Sequence, residues 1–354
     1  MKWFHVAAIV VVLGLLVAGD RGPSVGFVDS RLEAAVRDAL GIGDRPLRRA
    51  DLLRLTELAA VGREIASLGG LEACENLVRL DLGENRVSDV SPLAELKYLE
   101  TLVLRSNLVV DATPLAGLSS LRVLDLDFNF ITDAAPFAYL DELRWLGLWN
   151  SGISDISPLG NLTELTELGL SGNPIDDFAP LAGLKKLVWL GLPNTGLVDL
   201  APLSGLTDLV KLSLGGNRIV DLSPLASMTR LEGLGLDSNR IVDLAPLAGL
   251  VELRRLSLWG NEIEDLSPLA ELRHLEKLWL DRNPIAGIGI LEHMTELRIL
   301  GLSETDVTDL SPLLRNPGLG EGDEIDLSGL TLGPAADQAA AELMRRGVLV
   351  RGAS

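Results

Sequence analysis

Residues 77–98 read LVRLDLGENRVSDVSPLAELKY, and residues 99–120 read LETLVLRSNLVVDATPLAGLSS. Laid one over the other, they align Leu77 with Leu99, Leu80 with Leu102, Leu82 with Leu104, Asn85 with Asn107 and Pro92 with Pro114. The spacing of 22 continues without a gap through about eleven copies, a self-similarity that overrides any reading of length as a count of ordinary domains. Three leucine columns run from Leu77, Leu80 and Leu82 to Leu297, Leu300 and Leu302 without exception. A fourth column, from Val87 through Ile131, Leu197 and Ile263 to Val307, is always aliphatic.

Each column has a physical reason. The x-L-x-L segment alternates as a half-buried strand must, so its leucines point inward and the residues between them face out. Strands of successive repeats then pair in parallel, about 4.8 Å apart. Asn85, Asn107, Asn129, Asn173, Asn217, Asn239, Asn261 and Asn283 recur where the chain leaves the strand. Buried turn amides need partners there, and a carboxamide donates and accepts at once. Ser151, Thr195 and Thr305 take that place in three repeats, as weaker rungs. The return half reads D-L-S/A-P-L, as in Asp221 to Leu225, with proline in the first turn of a short helix and the preceding serine or alanine at its cap. The recurring aspartates are expected to tie turn amides on the outer edge rather than to hold metal. Only Gly287 to Ile290 loses this pattern, and a looser outer turn is expected there. Together these columns spell L-x-x-L-x-L-x-x-N-x-I, the signature of a leucine-rich repeat. The expected fold is an α/β solenoid: a curved array with a parallel sheet on the concave face and short helical or 3-10 turns on the convex face, capped at both ends.

The ends obey different rules, because a solenoid exposes its core wherever it stops. Asp29-Ser30 can cap a helix carrying Leu32, Val36 and Leu40 and closed by Gly41. A degenerate first repeat leads to Cys74, which occupies the column of Leu96 and Leu118 and so reads as a buried small hydrophobe. Beyond Asn316 three extra residues precede Ile325-Asp326-Leu327, and a helix from Pro334 to about Arg346 ends at Gly347 before Val348-Leu349-Val350. Met1-Lys2 followed by the apolar run Val6 to Ala18 reads as a secretion signal, with Val17 and Gly19 suited to cleavage before Asp20. An uncleaved anchor is the alternative. The expected divisions are 1–19 signal peptide or N-terminal anchor, 27–54 helical N-terminal cap, 55–318 repeat array and 319–351 C-terminal cap.

The stretch from Asp51 to Leu82, DLLRLTEL–(x)6–I-x-S-L-x-G-L-E–(x)3–NL-x-x-L-x-L, resembles the junction of helical cap and first repeats in the internalin family. NPGLGEGDEIDLSG at 316–329 and RRGVLV at 345–350 resemble the tails of bacterial secreted proteins with such arrays. The likeness spans residues 27 to 351. It implies an extracytoplasmic module, secreted, periplasmic or on the cell surface, that holds proteins on its concave face. No wall-attachment module is legible, so attachment to a wall is not expected.

Composition narrows the function. A formal charge of −19 argues against nucleic acid, whose phosphates need clustered Lys and Arg. One cysteine excludes a disulfide framework and any multi-cysteine metal site. His274 and His293 lie on outer or connecting segments with no nucleophile spaced to match, and the glycines belong to the repeat, so neither catalysis nor a cofactor is expected. What remains is the outward strand columns that start at residues 79, 81 and 83. Apart from Trp3, every tryptophan falls in them: Trp145, Trp149, Trp189, Trp259 and Trp279. Tryptophan favours strands, and leucine already holds the inward slots, which explains part of that clustering. It does not explain indoles facing solvent, and exposed aromatics in a concave face are the usual anchors of an interface.

Around them the middle column is nearly bare, from Gly147, Gly169 and Gly191 to Gly235. The expectation is a shallow uncharged trough walled by indoles, with charge, including Asp125, Asp127 and Asp281, gathered at the ends. Phe128, Asn150, Glu167, Asn194 and Lys211 complete the expected partner-binding set. The partner is expected to be a protein, bound by a monomer that meets a membrane only through an uncut N-terminal segment. A cell-wall or surface glycan, with sugar rings on the indoles, is the alternative.

Overall fold

The computed structural model describes residues 24–352, so the signal or anchor expected at 1–19 lies outside the described residues. Within them, fourteen strands of three residues each form one parallel sheet in strict chain order. The register repeats the sequence period: Arg79 pairs with Thr101, Val123 with Trp145, and Trp189 with Lys211. At the far end it slips as the insertion requires, Ile299 pairing with Glu324 and Glu324 with Leu349. The leucine columns are buried throughout, and Cys74 sits among them at 0% exposure, its thiol pushed up to about 12 by burial.

The asparagines tie each turn of the solenoid to the one before. Asn107 Oδ1 accepts the Val87 N–H at 2.9 Å, while its Nδ2 donates to the Leu82 and Leu104 carbonyls, both at 2.9 Å. Asn173 does more: its Oδ1 receives the N–H groups of Ser151, Gly152 and Ile153, and Nδ2 reaches Leu148 and Leu170. The hydroxyl rungs are poorer. Thr195 and Thr305 each donate to a carbonyl of their own repeat, Leu192 at 2.9 Å and Leu302 at 2.8 Å, and neither crosses to the preceding one.

On the return side most repeats make a 3-10 turn that opens at the residue before proline, as in Ser223–Leu225 and Ala245–Leu247. This corrects the expected capping. Ser223 is not at the cap; the turn begins with it, and the residue ahead of it, Leu222, offers no capping side chain. Asp221 does the work instead, its Oδ1 accepting the Ser223 N–H and its Oδ2 the Ser223 hydroxyl, both at 2.8 Å. Asp89, Asp111, Asp155, Asp265 and Asp309 bind turn amides in the same way, and those bonds hold all six carboxyls below the usual carboxylate range. Where the aspartate is missing, a 3-10 turn still forms at Gly289–His293.

Two short helices, α1 (Ser30–Leu40) and α2 (Arg49–Leu52), precede the first strand. Asp29 caps α1 by accepting the Arg31 N–H, its other oxygen takes the Ala66 N–H of the first repeat, and Gly41 closes the helix at φ 64°. After a return helix α3 (Ser311–Arg315), helix α4 (Pro334–Arg345) packs Ala336, Ala339, Ala340 and Leu343 into the end of the core. The last strand, Leu349–Arg351, completes the sheet.

Because Asn173 satisfies three amides and two carbonyls at 0% exposure, Asn173→Ala is expected to cost about 2–4 kcal/mol, the penalty of leaving several buried polar groups unpaired. Urea denaturation followed by circular dichroism measures it, and a loss below 1 kcal/mol, within the range of a surface change, would show that the ladder does not hold the turns.

Candidate concave interface

The five indoles all lie on the open face of the sheet, and each is only partly covered. Trp145, Glu167, Trp189 and Lys211 are register partners on four consecutive strands, so their side chains form one row. Glu167 is half-buried between the two tryptophans, and Lys211 is exposed beyond them.

The bare middle column has a use that differs from the expected trough. A Cβ at Gly147 would stand 2.5 Å from Trp145 Cη2, one at Gly191 3.0 Å from Trp189 Cη2, and one at Gly169 would collide with the Trp149 pyrrole edge. The indoles therefore lie down over glycines instead of standing as walls, and they pave the centre of the face. Trp149 and Trp189, two repeats apart, meet with ring centroids 6.1 Å apart at 33°, a tilted pair in the favourable range for aromatic contact. Trp259 is engaged differently: the Arg282 guanidinium lies 5.2 Å from its ring centre, and Arg282 is itself bound to Glu304.

The turn residue after the strand adopts a left-handed backbone, and this governs three of the expected contacts. Phe128, Asn150 and Asn194 have φ of 57°, 49° and 56°. Asparagine tolerates that region, and the Asn150 and Asn194 amides fold over Gly172 and Gly216, which leave them room. Phenylalanine has no such excuse, yet Phe128 is half-exposed there. Beside it in the repeat pattern are Leu108, Val110 and Phe130, exposed by 46%, 62% and 58%. Sequence reading missed these three because they fall outside the strand columns. The signal was present: equivalent positions carry Arg86, Gly152, Pro174 and Arg218, and only Leu108 and Phe130 are large and apolar.

The expected placement of charge also needs correction. Asp125 and Asp281 are buried and Asp127 is half-buried, so none is a solvated rim charge. Each is drawn down by a backbone N–H: Asp125 Oδ1 accepts that of Asp127 at 3.1 Å, Asp127 Oδ1 that of Trp149 at 2.8 Å, and Asp281 Oδ1 that of Ser303 at 2.9 Å. Burial pushes the Asp125 carboxyl up to about 6 and that of Asp127 up to about 7, against the pull of these amides and of Arg105.

Away from the sheet, a depression of about 570 Å³ is lined by Arg273, Glu292, His293, Glu296 and Arg315. Its charges are mutually engaged, Arg315 with Glu292 at 2.7 Å and His293 with Glu292 at 3.2 Å, while Glu296 takes His274 at 3.1 Å. Among the described residues no group of His, Cys, Asp and Glu could hold a metal ion, and no helix is long and apolar enough to cross a membrane.

The fold and its ladder define a leucine-rich-repeat protein, and residues 141–183 and 229–271 match the family model described as leucine rich repeats in two copies. A solved internalin from Listeria monocytogenes, InlF, is 30% identical over 82% of this chain and 94% of its own, with a TM-score of 0.74. The chain belongs to the internalin-type leucine-rich-repeat proteins. A leucine-rich-repeat protein of Leptospira interrogans matches 81% of each chain at 20% identity and a TM-score of 0.70. The plant peptide hormone receptor RGFR1, solved in complex with RGF2, matches 80% of this chain and 56% of its own at 20% identity and a TM-score of 0.55. No curated protein sequence matches.

The aspartate pair yields a signed prediction. Because the folded carboxyls bind protons more tightly than the ordinary value of 3.8, their stabilising effect is full below about pH 4 and is lost as pH rises through 6 to 7. Asp125→Asn/Asp127→Asn is therefore expected to equal the wild type near pH 4 and to exceed it by about 3 kcal/mol or more at pH 8 in urea denaturation. A difference that does not change with pH would contradict the burial of these groups.

Proposed function

We propose that this chain is a non-catalytic binding module of the cell envelope or exterior that holds a partner protein against its concave face, with Trp149 and Trp189 as the central anchor. The observation that carries this reading is the tilted indole pair at 6.1 Å, lying over a glycine floor and still open to solvent. Large rigid aromatics at the centre of a face, ringed by polar groups, are where binding energy concentrates. Trp145, Glu167, Asn150, Asn194 and Phe128 surround the pair, Lys211 continues its row, and Leu108, Val110 and Phe130 extend the apolar surface onto the flank. Two further features support it. Phe128 sits in a backbone conformation that asparagine or glycine would adopt at less cost, and it presents a ring to solvent. The internalin likeness and the apolar run at 6–18 both favour a place outside the cytoplasm.

Trp149→Ala/Trp189→Ala is expected to weaken partner capture by about 2–4 kcal/mol, or roughly 30- to 1000-fold, with the melting temperature little changed because the rings lie on the sheet and not in the core. Crosslinking pull-down from native envelope or medium, comparing variant with wild type, is the measurement. Undiminished capture would remove the indole pair from the interface. Loss of binding to purified cell-wall fragments instead of to protein would favour the glycan reading.

A further inference from the structure

Toward the C-terminal half of the same face the chemistry changes. Lys211, Gly233, Arg255 and Lys277 are consecutive register partners, so three cations share one row with only a glycine between the first two. Arg255 and Lys277 stand directly opposite one another, an arrangement of like charges that destabilises a sheet. Carboxylates are plentiful in this chain of net charge −19, and elsewhere they are used: Arg230 pairs with Asp208, Arg254 with Glu276 and Arg282 with Glu304. Among the described residues, none forms an ion pair with Lys211, Arg255 or Lys277.

The space beside this row is shaped to be filled. Trp189 and Trp279 stand at its two ends, and Ser213, Gly233, Gly235 and Ser257 make its floor, enclosing a depression of about 210 Å³. A second hollow of about 380 Å³ adjoins it across Ser257 and Trp279, with the Trp259 and Trp279 indoles beside Asp237 and Asp281. The carboxylates on that side are committed, Asp237 to the Ser257 hydroxyl and Asp281 to Ser303. Among the described residues, neither forms an ion pair with Lys211, Arg255 or Lys277.

We propose that the bay between Trp189 and Trp279 receives an extended acidic peptide segment of the partner, its carboxylates on Lys211, Arg255 and Lys277 and its apolar side chains in the adjoining hollow by Trp259 and Trp279. The inference rests on the reading that this face holds a protein. The small floor residues let a backbone approach the sheet closely, and the flanking indoles bound the segment at both ends. An anion that reaches the three cations together relieves the repulsion of like charges in one row.

The test uses fluorescein-labelled hexaglutamate and the full chain, read by anisotropy at low and physiological salt. Binding is expected despite the overall negative charge, weakening as salt rises. Lys211→Gln/Arg255→Gln/Lys277→Gln is expected to lower affinity about tenfold or more. Removing the same charge elsewhere, by Lys185→Gln/Arg218→Gln/Arg240→Gln, should change it less than twofold. Hexaglutamate reads the bay and capture of the native partner reads the indole anchor, so failure of the one and failure of the other are separate outcomes. Equal losses from both triple variants, or no binding by wild type, would overturn the proposal. So would tighter binding of a hexagalacturonate of equal charge, which would assign the bay to an acidic glycan.

Discussion

The structure depends on one constraint: each turn of the chain must return to the sheet after 22 residues with its strand-end amides and carbonyls met, in most turns by an asparagine of the next. Asn107 shows the economy of the device, one side chain holding two carbonyls and one amide across two repeats. In the bilayered domains of ordinary proteins a buried turn would need separate partners for each group. Here the partner arrives with the period. The leucines fill the space between sheet and return turns, but leucine alone does not fix register. The ladder does, and it holds the strands in step wherever asparagine supplies the rung.

Fixing the inward columns frees the outward ones. Gly147, Gly169 and Gly191 are unnecessary for the fold, since valine, serine or aspartate serves at the same place in other repeats. Their absence of side chains lets Trp145, Trp149 and Trp189 lie flat, and flattening brings Trp149 into contact with Trp189. The face thus divides into an aromatic centre and a basic bay that meet at Trp189. Both are surfaces that a stable solenoid does not require, and both carry a cost: apolar rings in water, and like charges side by side.

Most of the fold was legible because period, column and residue type all converge on one geometry. The N-terminal helix and its Asp29 and Gly41 caps, the three-residue insertion before Ile325 and the buried Cys74 follow directly from spacing. The misreadings share a cause. Spacing says which way a side chain leaves the backbone, not how far it leans. Asp125, Asp127 and Asp281 point outward by pattern and yet turn down onto strand-end amides, and tryptophans expected to stand as walls lie over the glycines beside them. Ser223 illustrates the same limit, because the competing Asp221 carboxylate wins the turn amide. The flank residues Leu108, Val110 and Phe130 escape the pattern for a simpler reason: they lie outside the strand columns that spacing marks as outward.

If the solenoid exists to present its concave indoles, they should be the residues a partner covers. Hydroxyl-radical footprinting, with the native partner captured from envelope or medium, reports the solvent access of each tryptophan by mass spectrometry. Protection concentrated at Trp149 and Trp189, with Tyr98 and Tyr139 on the outer segments still oxidised, is the predicted result. Unchanged oxidation of both tryptophans in a complex whose protection lies on the convex turns would contradict it.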